Sequence, residues 1–482
     1  MTNHPLSSII RAQWGVPQAS LSDIHGKQVQ TEHTKSPFEI KNVRLFIAFR
    51  VFFNSRFYYP IFTILFLDFG LTLEQFAVLN AFWAASIVLF EVPSGALADI
   101  IGRKNLLVVA GSLMIMEMAI LCVAPRNGGW VLFAAFLFNR VLSGGAEAAA
   151  SGADEALAYD TLKEEGLEEE WPRVLEKMMR LQSFFYVVVT SLGAAVYDPE
   201  LLQLAASWLG IDVRLTQGIT LRFPIYLTLG MAILTLATTL RMGEPSVSAH
   251  HADLHGVRTI MQLTLEAGRW ILKTPFALVI IMGGLLFDSC LRLLVTLASQ
   301  YYRVIHLPEA SFGLIGSVFA LLGIVIPRLA LRISQKKSPS FVMAMMTVCT
   351  LLGLLGMSFV WPYAGLLPMA IVWIVMYFQT FFQSHYLNRI TSSEQRATVL
   401  SFKGLSFNLA YGLIGILYSL LLAFLRSSPS GPKTLPASTV LQNLVFMQSL
   451  SWFPWYFLGT TLLFLLYARF KMKGSNQHLL PG

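Results

Sequence analysis

The chain has 482 residues, 55% of them hydrophobic and only 13% charged, with a mean hydropathy of +0.61. Soluble domains carry about 25% charged residues, so a soluble enzyme, a secreted disulfide scaffold and a disordered chain are excluded. Lys and Arg outnumber Asp and Glu by 35 to 27, a net charge of +8. In a polytopic membrane protein such an excess sits in cytoplasmic loops, and no basic run interleaved with aromatics points to nucleic acid.

A bilayer crossing takes about 20 apolar residues, so a dozen crossings use about 240 and leave short loops, one linker and tails. Residues 1–41 are polar and of mixed charge, and read as a cytoplasmic N-terminal tail without a cleaved signal peptide. Apolar runs then predict helices over 42–68, 73–98, 104–124, 129–158, 177–197 and 221–241. A polar linker follows at 242–274, and a second group covers 275–300, 309–330, 339–360, 364–388, 398–425 and 447–470, with a short tail at 471–482. The expected fold is all-α and integral to the membrane: 12 transmembrane helices in two six-helix bundles, 42–241 and 275–470. No internal repeat is visible at the residue level, so the pseudosymmetry rests on helix count. A six-plus-six division is typical of transporters with a site between two bundles at mid-membrane.

Twelve crossings put both termini on one side. Arg103 and Lys104, the Lys163–Arg173 stretch, Arg241, Lys336 and Lys337, Arg389, Arg396, Lys471 and Lys473 all fall on the N-terminal side, whereas the opposite loops carry few basic residues. Both termini are therefore expected in the cytoplasm. The insert 198–218 contains Leu201–Leu209, which reads equally as a short interfacial helix or a loop. Cys122, Cys290 and Cys349 lie in apolar segments as small core residues. His250, His251 and His255 have a metal-compatible spacing, but no Cys or carboxylate set accompanies them, and neither metal nor cofactor is expected. Trp130, Trp361, Trp452 and Trp455 fall at helix ends, where indoles favour the headgroup zone.

Between the second and third helices stands Gly95-Ala96-Leu97-Ala98-Asp99-Ile100-Ile101-Gly102-Arg103-Lys104. Gly95 permits close helix approach, Gly102 can take a positive φ, and Arg103 and Lys104 hold the turn in the cytosol. These residues resemble the loop 2–3 motif G-x-L-A-D-x-x-G-R-K of the major facilitator superfamily at every fixed position. The resemblance implies a latch in which Asp99 and Arg103 lock the two bundles on the cytoplasmic face in the outward-open state. The plainer reading is that these charges only pin topology.

In helix 4, Arg140-Val141-Leu142-Ser143-Gly144-Gly145 is similar to the superfamily's R-x-x-Q-G element, with Ser143 in place of Gln. The resemblance implies proton coupling at Arg140. Seven residues advance a helix by about two turns, so Arg140, Glu147 and Asp154 form one stripe. Glu147 reads equally as an intramembrane carboxylate, carrying protons or facing substrate, and as part of a stripe emerging into water. Asp154 and Glu155 are read as solvated. Glu91-Val92-Pro93-Ser94-Gly95, Asp154 to Asp160, and Asn388-Arg389 with Arg396 to Ser401 resemble bacterial drug-efflux-like members. That likeness implies a bacterial inner membrane and adds Glu91 to the proton-coupling candidates.

Polar groups in the apolar segments supply candidates for a substrate cavity. Arg50, Asn54 and Tyr58 are spaced by four and share a face of helix 1, with Arg56 and Tyr59 nearby. Helix 7 holds Asp288 and Arg292, also four apart, either as a self-compensating buried pair or lining the path; helix 10 adds Tyr377, Gln379, Gln383 and His385. The expected function is secondary active transport of a small organic solute by a monomer using alternating access, with efflux by proton antiport first. Sodium is the other coupling ion considered. Helix 5 carries Ser191-Leu192-Gly193 without the Gly-Pro pair of antiporters, which keeps proton-coupled uptake open. A membrane-embedded enzyme lacks every catalytic motif sought, and a receptor would need a larger extra domain.

Overall fold

In apolar surroundings every backbone N–H and C=O must be bonded within the chain, and the long apolar runs meet that demand as helices. The computed structural model describes residues 36–245, 268–390, 393–427 and 439–473. In chain order these form α1 Lys41–Asn54, α2 Phe62–Phe69, α3 Leu73–Ile101, α4 Arg103–Val123, α5 Gly129–Ala150, α6 Ala153–Glu164, α7 Trp171–Tyr197, α8 Pro199–Trp208, α9 Gln217–Thr220 and α10 Phe223–Leu240. The second half holds α11 Pro275–Thr296, α12 Ala298–Val304, α13 Phe312–Lys336, α14 Pro339–Ser358, α15 Leu366–Ile390, α16 Ser393–Ser427, α17 Thr439–Leu450 and α18 Phe453–Lys473. Among the described residues 11 stretches are long and apolar enough to cross a membrane. The first crossing is broken into α1 and α2, neither long enough alone, and together they supply the twelfth of an all-helical membrane fold.

The breaks correct the expectation of uninterrupted helices. Pro60 has no N–H to donate and restricts Tyr59 before it, so α1 stops at Asn54 and the chain turns through 55–61 before α2. Tyr58 therefore does not continue the face of Arg50 and Asn54; it is buried at the break. The expected helix 129–158 divides at Ser151 and Gly152, where Gly152 takes φ +76°. The seventh crossing divides at Leu297, between α11 and α12. The twelfth begins earlier than expected, at Thr439, and breaks at Ser451 and Trp452 before Pro454 in the first turn of α18. The insert after α7 is helical over Pro199–Trp208: Asp198 accepts from the N–H groups of Glu200 and Leu201 at 2.9 and 3.1 Å, a side-chain cap.

The helices before residue 245 pack mainly on one another, as do those after 267, and the two groups meet chiefly where α3 lies on α16 and α7 on α13. Small residues set these contacts. A Cβ on Gly313 would stand 2.1 Å from the Thr190 carbonyl oxygen, and one on Gly415 would stand 3.1 Å from that of Ala77; backbones approach this closely only where side chains are missing. We call the side on which the N-terminal segment joins α1 the near face, and the opposite side the far face.

Candidate functional site

The first cluster forms at the break between α1 and α2. Arg56, 1% exposed, points back into the first half, where its Nη1 bonds the carboxylate of Glu117 on α4. Glu147 on α5 stands 3.8 Å from Nη2 of the same guanidinium, beyond hydrogen-bond range, with its side chain 35% exposed. Arg56 Nη2 and Glu117 Oε2 have no hydrogen-bond partner. Arg140 sits one residue beyond Asn139, which donates 2.8 Å to the Glu117 carbonyl and accepts 3.1 Å from Arg140 Nε. The Arg140 guanidinium lies over Phe62 and Phe66 at 5.3 and 5.5 Å, contacts that favour a cation without neutralising it. Thus Arg56 takes the tight carboxylate and Glu147 is left beside it, loosely held.

One to two turns toward the near face, Arg50 donates to Asp154 at 3.1 Å and to Glu155 at 3.2 Å. Asp154 is 1% exposed, against the expectation that it is solvated, because the break at Gly152 turns the start of α6 back against α1; Glu155 is exposed. Asn54 spends its amide on the Arg50 carbonyl at 2.7 Å. Glu91 is partly buried, and Ser94, one turn on, bonds the carbonyls of Glu91 and Ala148 at 2.9 Å, fastening α3 to α5.

The second cluster faces the first half from α11 and α16. Asp288 and Arg292 stand 3.7 Å apart. Arg292 donates 2.9 Å to Asn408 and lies 4.4 Å above the Tyr411 ring, while Tyr411 meets Trp83 of α3 edge-on at 6.3 Å. Lys403 is half-buried and within electrostatic reach of Asp288. Gln379 and Gln383 were expected to line the path between the bundles. The structure instead bonds them to one another at 3.0 Å and sets them in a cavity of about 770 Å³ lined by α11, α14, α15 and α18, all from the second half. Tyr377 packs on Gly323 of α13, where a Cβ would be 3.1 Å from its ring.

At the far face the halves are bonded together. Arg303 clasps Asp68 with two hydrogen bonds of 2.8 and 2.7 Å and reaches Glu309 at 2.8 and 2.5 Å; Tyr197 donates to Asp68 as well. Asp198 accepts from the Ala310 N–H at 3.0 Å, and Arg426 donates 3.0 Å to Glu74. The two broken crossings also cap one another. Ser299 Oγ accepts from the N–H groups of Thr63 and Ile64 at 3.0 and 3.3 Å, donors that the start of α2 cannot satisfy internally. Thr63 in return donates 2.7 Å to the carbonyl of Thr296, at the end of α11.

The loop motif near the other face is tied to its own half. Gly102 takes φ +89°, and the N–H groups of Arg103 and Lys104 donate 2.9 and 2.7 Å to the Glu244 carboxylate, an anion at a helix N-terminus. Arg103 pairs with Asp160 on α6. Gly95 and Leu97 are exposed; the side chain of Asp99 and the histidines 250, 251 and 255 lie outside the described residues. Sequence reasoning passed over Glu117, Lys403, Asp68 and Arg303. Glu117 had a signal, being the one acidic residue within the apolar run of α4; the others fall near helix ends, where charge is ordinary.

Comparison with curated protein sequences finds no match. Among solved structures, a bacterial homologue of the lysosomal transporter Spinster is similar at TM-score 0.65 and 14% identity, covering 91% of this chain and 98% of that one. The nucleoside transporter NupG follows at 0.64 and 10%, covering 88% and 98%, and a D-xylose–proton symporter at 0.58 and 14%, covering 92% and 98%. At such identities these likenesses concern the fold. The sequence profile of the Major Facilitator Superfamily matches residues 44–415, spanning the loop motif, both charge clusters and the far-face bonds of Asp68 and Arg303. With its twelve crossings packed as two groups of helices, this chain belongs to the major facilitator superfamily of membrane transporters.

Proposed function

We propose that the chain moves a small organic solute by alternating access between residues 42–241 and 275–470, exchanging it for protons taken up at Glu147. The single observation that carries this reading is the asymmetry of bonding: Arg303–Asp68–Glu309, Arg426–Glu74 and the Ser299 cap join the halves at the far face, while the loop motif at the near face is bonded within its own half. The basic loops support a cytoplasmic near face, which makes this conformer inward-facing with both termini cytoplasmic. In the outward-facing state Asp99 and Arg103 supply the opposing latch, so Asp99→Asn should slow turnover while leaving membrane insertion intact; normal transport by that variant removes the latch.

Glu147 suits a proton carrier because its neighbour is already committed. Arg56 is bonded to Glu117, so protonating Glu147 breaks no hydrogen bond in this conformer, and its partial exposure gives the proton a route to water. Efflux is supported by the Glu91-Val92-Pro93-Ser94-Gly95 run; proton-coupled uptake is the second reading, favoured by α7, which lacks the Gly-Pro pair of antiporters. Both are tested in proteoliposomes holding a solute panel under imposed pH or sodium gradients. Glu147→Gln should abolish gradient-driven flux and keep solute counterflow. A Glu147→Gln protein that still follows the pH gradient would overturn the assignment.

A further inference from the structure

The second charge cluster does not balance. On α11 and α16, Arg292 stands 3.7 Å from one carboxylate, Asp288, Lys403 lies within electrostatic reach of it, and no other acidic side chain among the described residues pairs with either cation. Lys403 stands at the near-face end of its crossing and Arg292 deeper, where a cation short of its counter-charge is costly; a mobile anion offsets it. The geometry keeps the surplus available. Arg292 is oriented by its bond to Asn408 and its stack on Tyr411, yet it reaches Asp288 only at 3.7 Å, too far for a hydrogen bond, and Asp288 Oδ2 has no hydrogen-bond partner. Lys403, Phe407 and Tyr411 recur every four residues along α16, on the side where Tyr411 meets Trp83 of the first half. Lys403 thus lies two turns nearer the open face than the ring on which Arg292 is stacked. The second half therefore offers two cations and an aromatic ring, and the first a loosely held carboxylate, Glu147.

We propose that the transported solute is an organic anion, and that its carboxylate or phosphoryl oxygens are received by Arg292 and Lys403 with Tyr411 as the adjoining platform. This rests on the transporter reading above and adds the substrate class to it. The division of labour follows from the charges: the proton is taken on the first half at Glu147, the anion on the second. Arg292 offers parallel donors matched to two oxygens, and Lys403 a point charge that can follow the solute. Asp288 keeps the empty site from holding a bare pair of cations, and so competes with the bound anion.

The test uses the purified full-length chain and a panel of monocarboxylates and phosphate monoesters, each paired with its uncharged amide or alcohol, read by ligand-induced thermal stabilisation. Benzoate against benzamide and phenyl phosphate against phenol are the reference pairs, and they separate the two anion chemistries. At least one anion should stabilise the protein where its neutral twin does not. Lys403→Gln should weaken that anion about tenfold or more, the loss of one charge-assisted contact, and Lys403→Arg should restore it. Asp288→Asn should tighten it, whereas a purely structural Asp288–Arg292 pair requires that variant to bind more weakly. The proposal is overturned if no anion in the panel depends on Lys403, if neutral twins bind as well as anions, or if Asp288→Asn weakens binding. The Glu147→Gln counterflow test, which compares fluxes without regard to solute charge, would still stand in any of those cases, so failure here is distinct from failure of the transporter reading.

Discussion

Replacing Glu117 by Ala should cost about 3–5 kcal/mol of stability, the typical penalty for stranding a buried charge. Arg56 is 1% exposed and Glu117 0%, so neither group can turn to water when the other is removed. Glu147, 3.8 Å from the unbonded Nη2 and partly exposed, offsets the remaining guanidinium only in part. The melting temperature of the detergent-purified variant should therefore fall sharply. The double variant Arg56→Met with Glu117→Leu should recover most of the loss, since a buried ion pair can often be exchanged for apolar residues of similar volume. A wild-type melt for Glu117→Ala, or a double variant no better than the single one, would show that the pair does not hold the break between α1 and α2 to α4. A sharp fall for Glu117→Ala places Glu117 in folding, a role distinct from the one proposed for Glu147.

The second large effect is on conformation. Arg303 joins Asp68 of one half to its own neighbour Glu309 through four hydrogen bonds between 2.5 and 2.8 Å. Arg303→Gln removes the charge that holds two carboxylates together and leaves them facing one another. Charge-assisted hydrogen bonds contribute about 1.5–3 kcal/mol each, and a loss near the low end of that range shifts a two-state population about tenfold. The readout is a cysteine at Ser317, which is 7% exposed and touches Thr190 across the two halves. In a background lacking Cys122, Cys290 and Cys349, a membrane-impermeant maleimide added from the far side should label Ser317→Cys about tenfold faster once Arg303 is replaced. Unchanged labelling would mean that the Ser299 cap and the backbone contact of Gly313 with Thr190 hold the far face closed without Arg303.

The two effects differ in what the chain text made visible. Glu117 is a carboxylate alone in an apolar run, a pattern that signals a buried partner, but nothing along the chain names Arg56, 61 residues away, as that partner. Arg303 and Asp68 lie 235 residues apart near helix ends and look like ordinary solvated charges. The first crossing was legible as an apolar segment but not its interruption before Pro60, and the consequence depends on the second half: Ser299 of α12 caps the donors that the interruption exposes. The spacing argument that grouped Arg140, Glu147 and Asp154 assumed one continuous helix. Gly152 ends that continuity, and Asp154 finds Arg50 instead of water. Gln379 and Gln383 sit on the helix expected to line the path but on the side that faces the interior of their own bundle.

Apolar run length, basic-loop asymmetry and the loop motif determined class, crossing number and expected orientation directly, because each is a local bargain between a short segment and lipid or water that no distant residue can renegotiate. Which carboxylate binds Arg56, which cation is left in surplus on α16, and which face is sealed were decided only in the assembled molecule. A charge within a membrane takes its energy from the nearest opposite charge, and that neighbour is chosen by helix packing between segments 61 residues apart for Arg56 and Glu117 and 235 apart for Arg303 and Asp68.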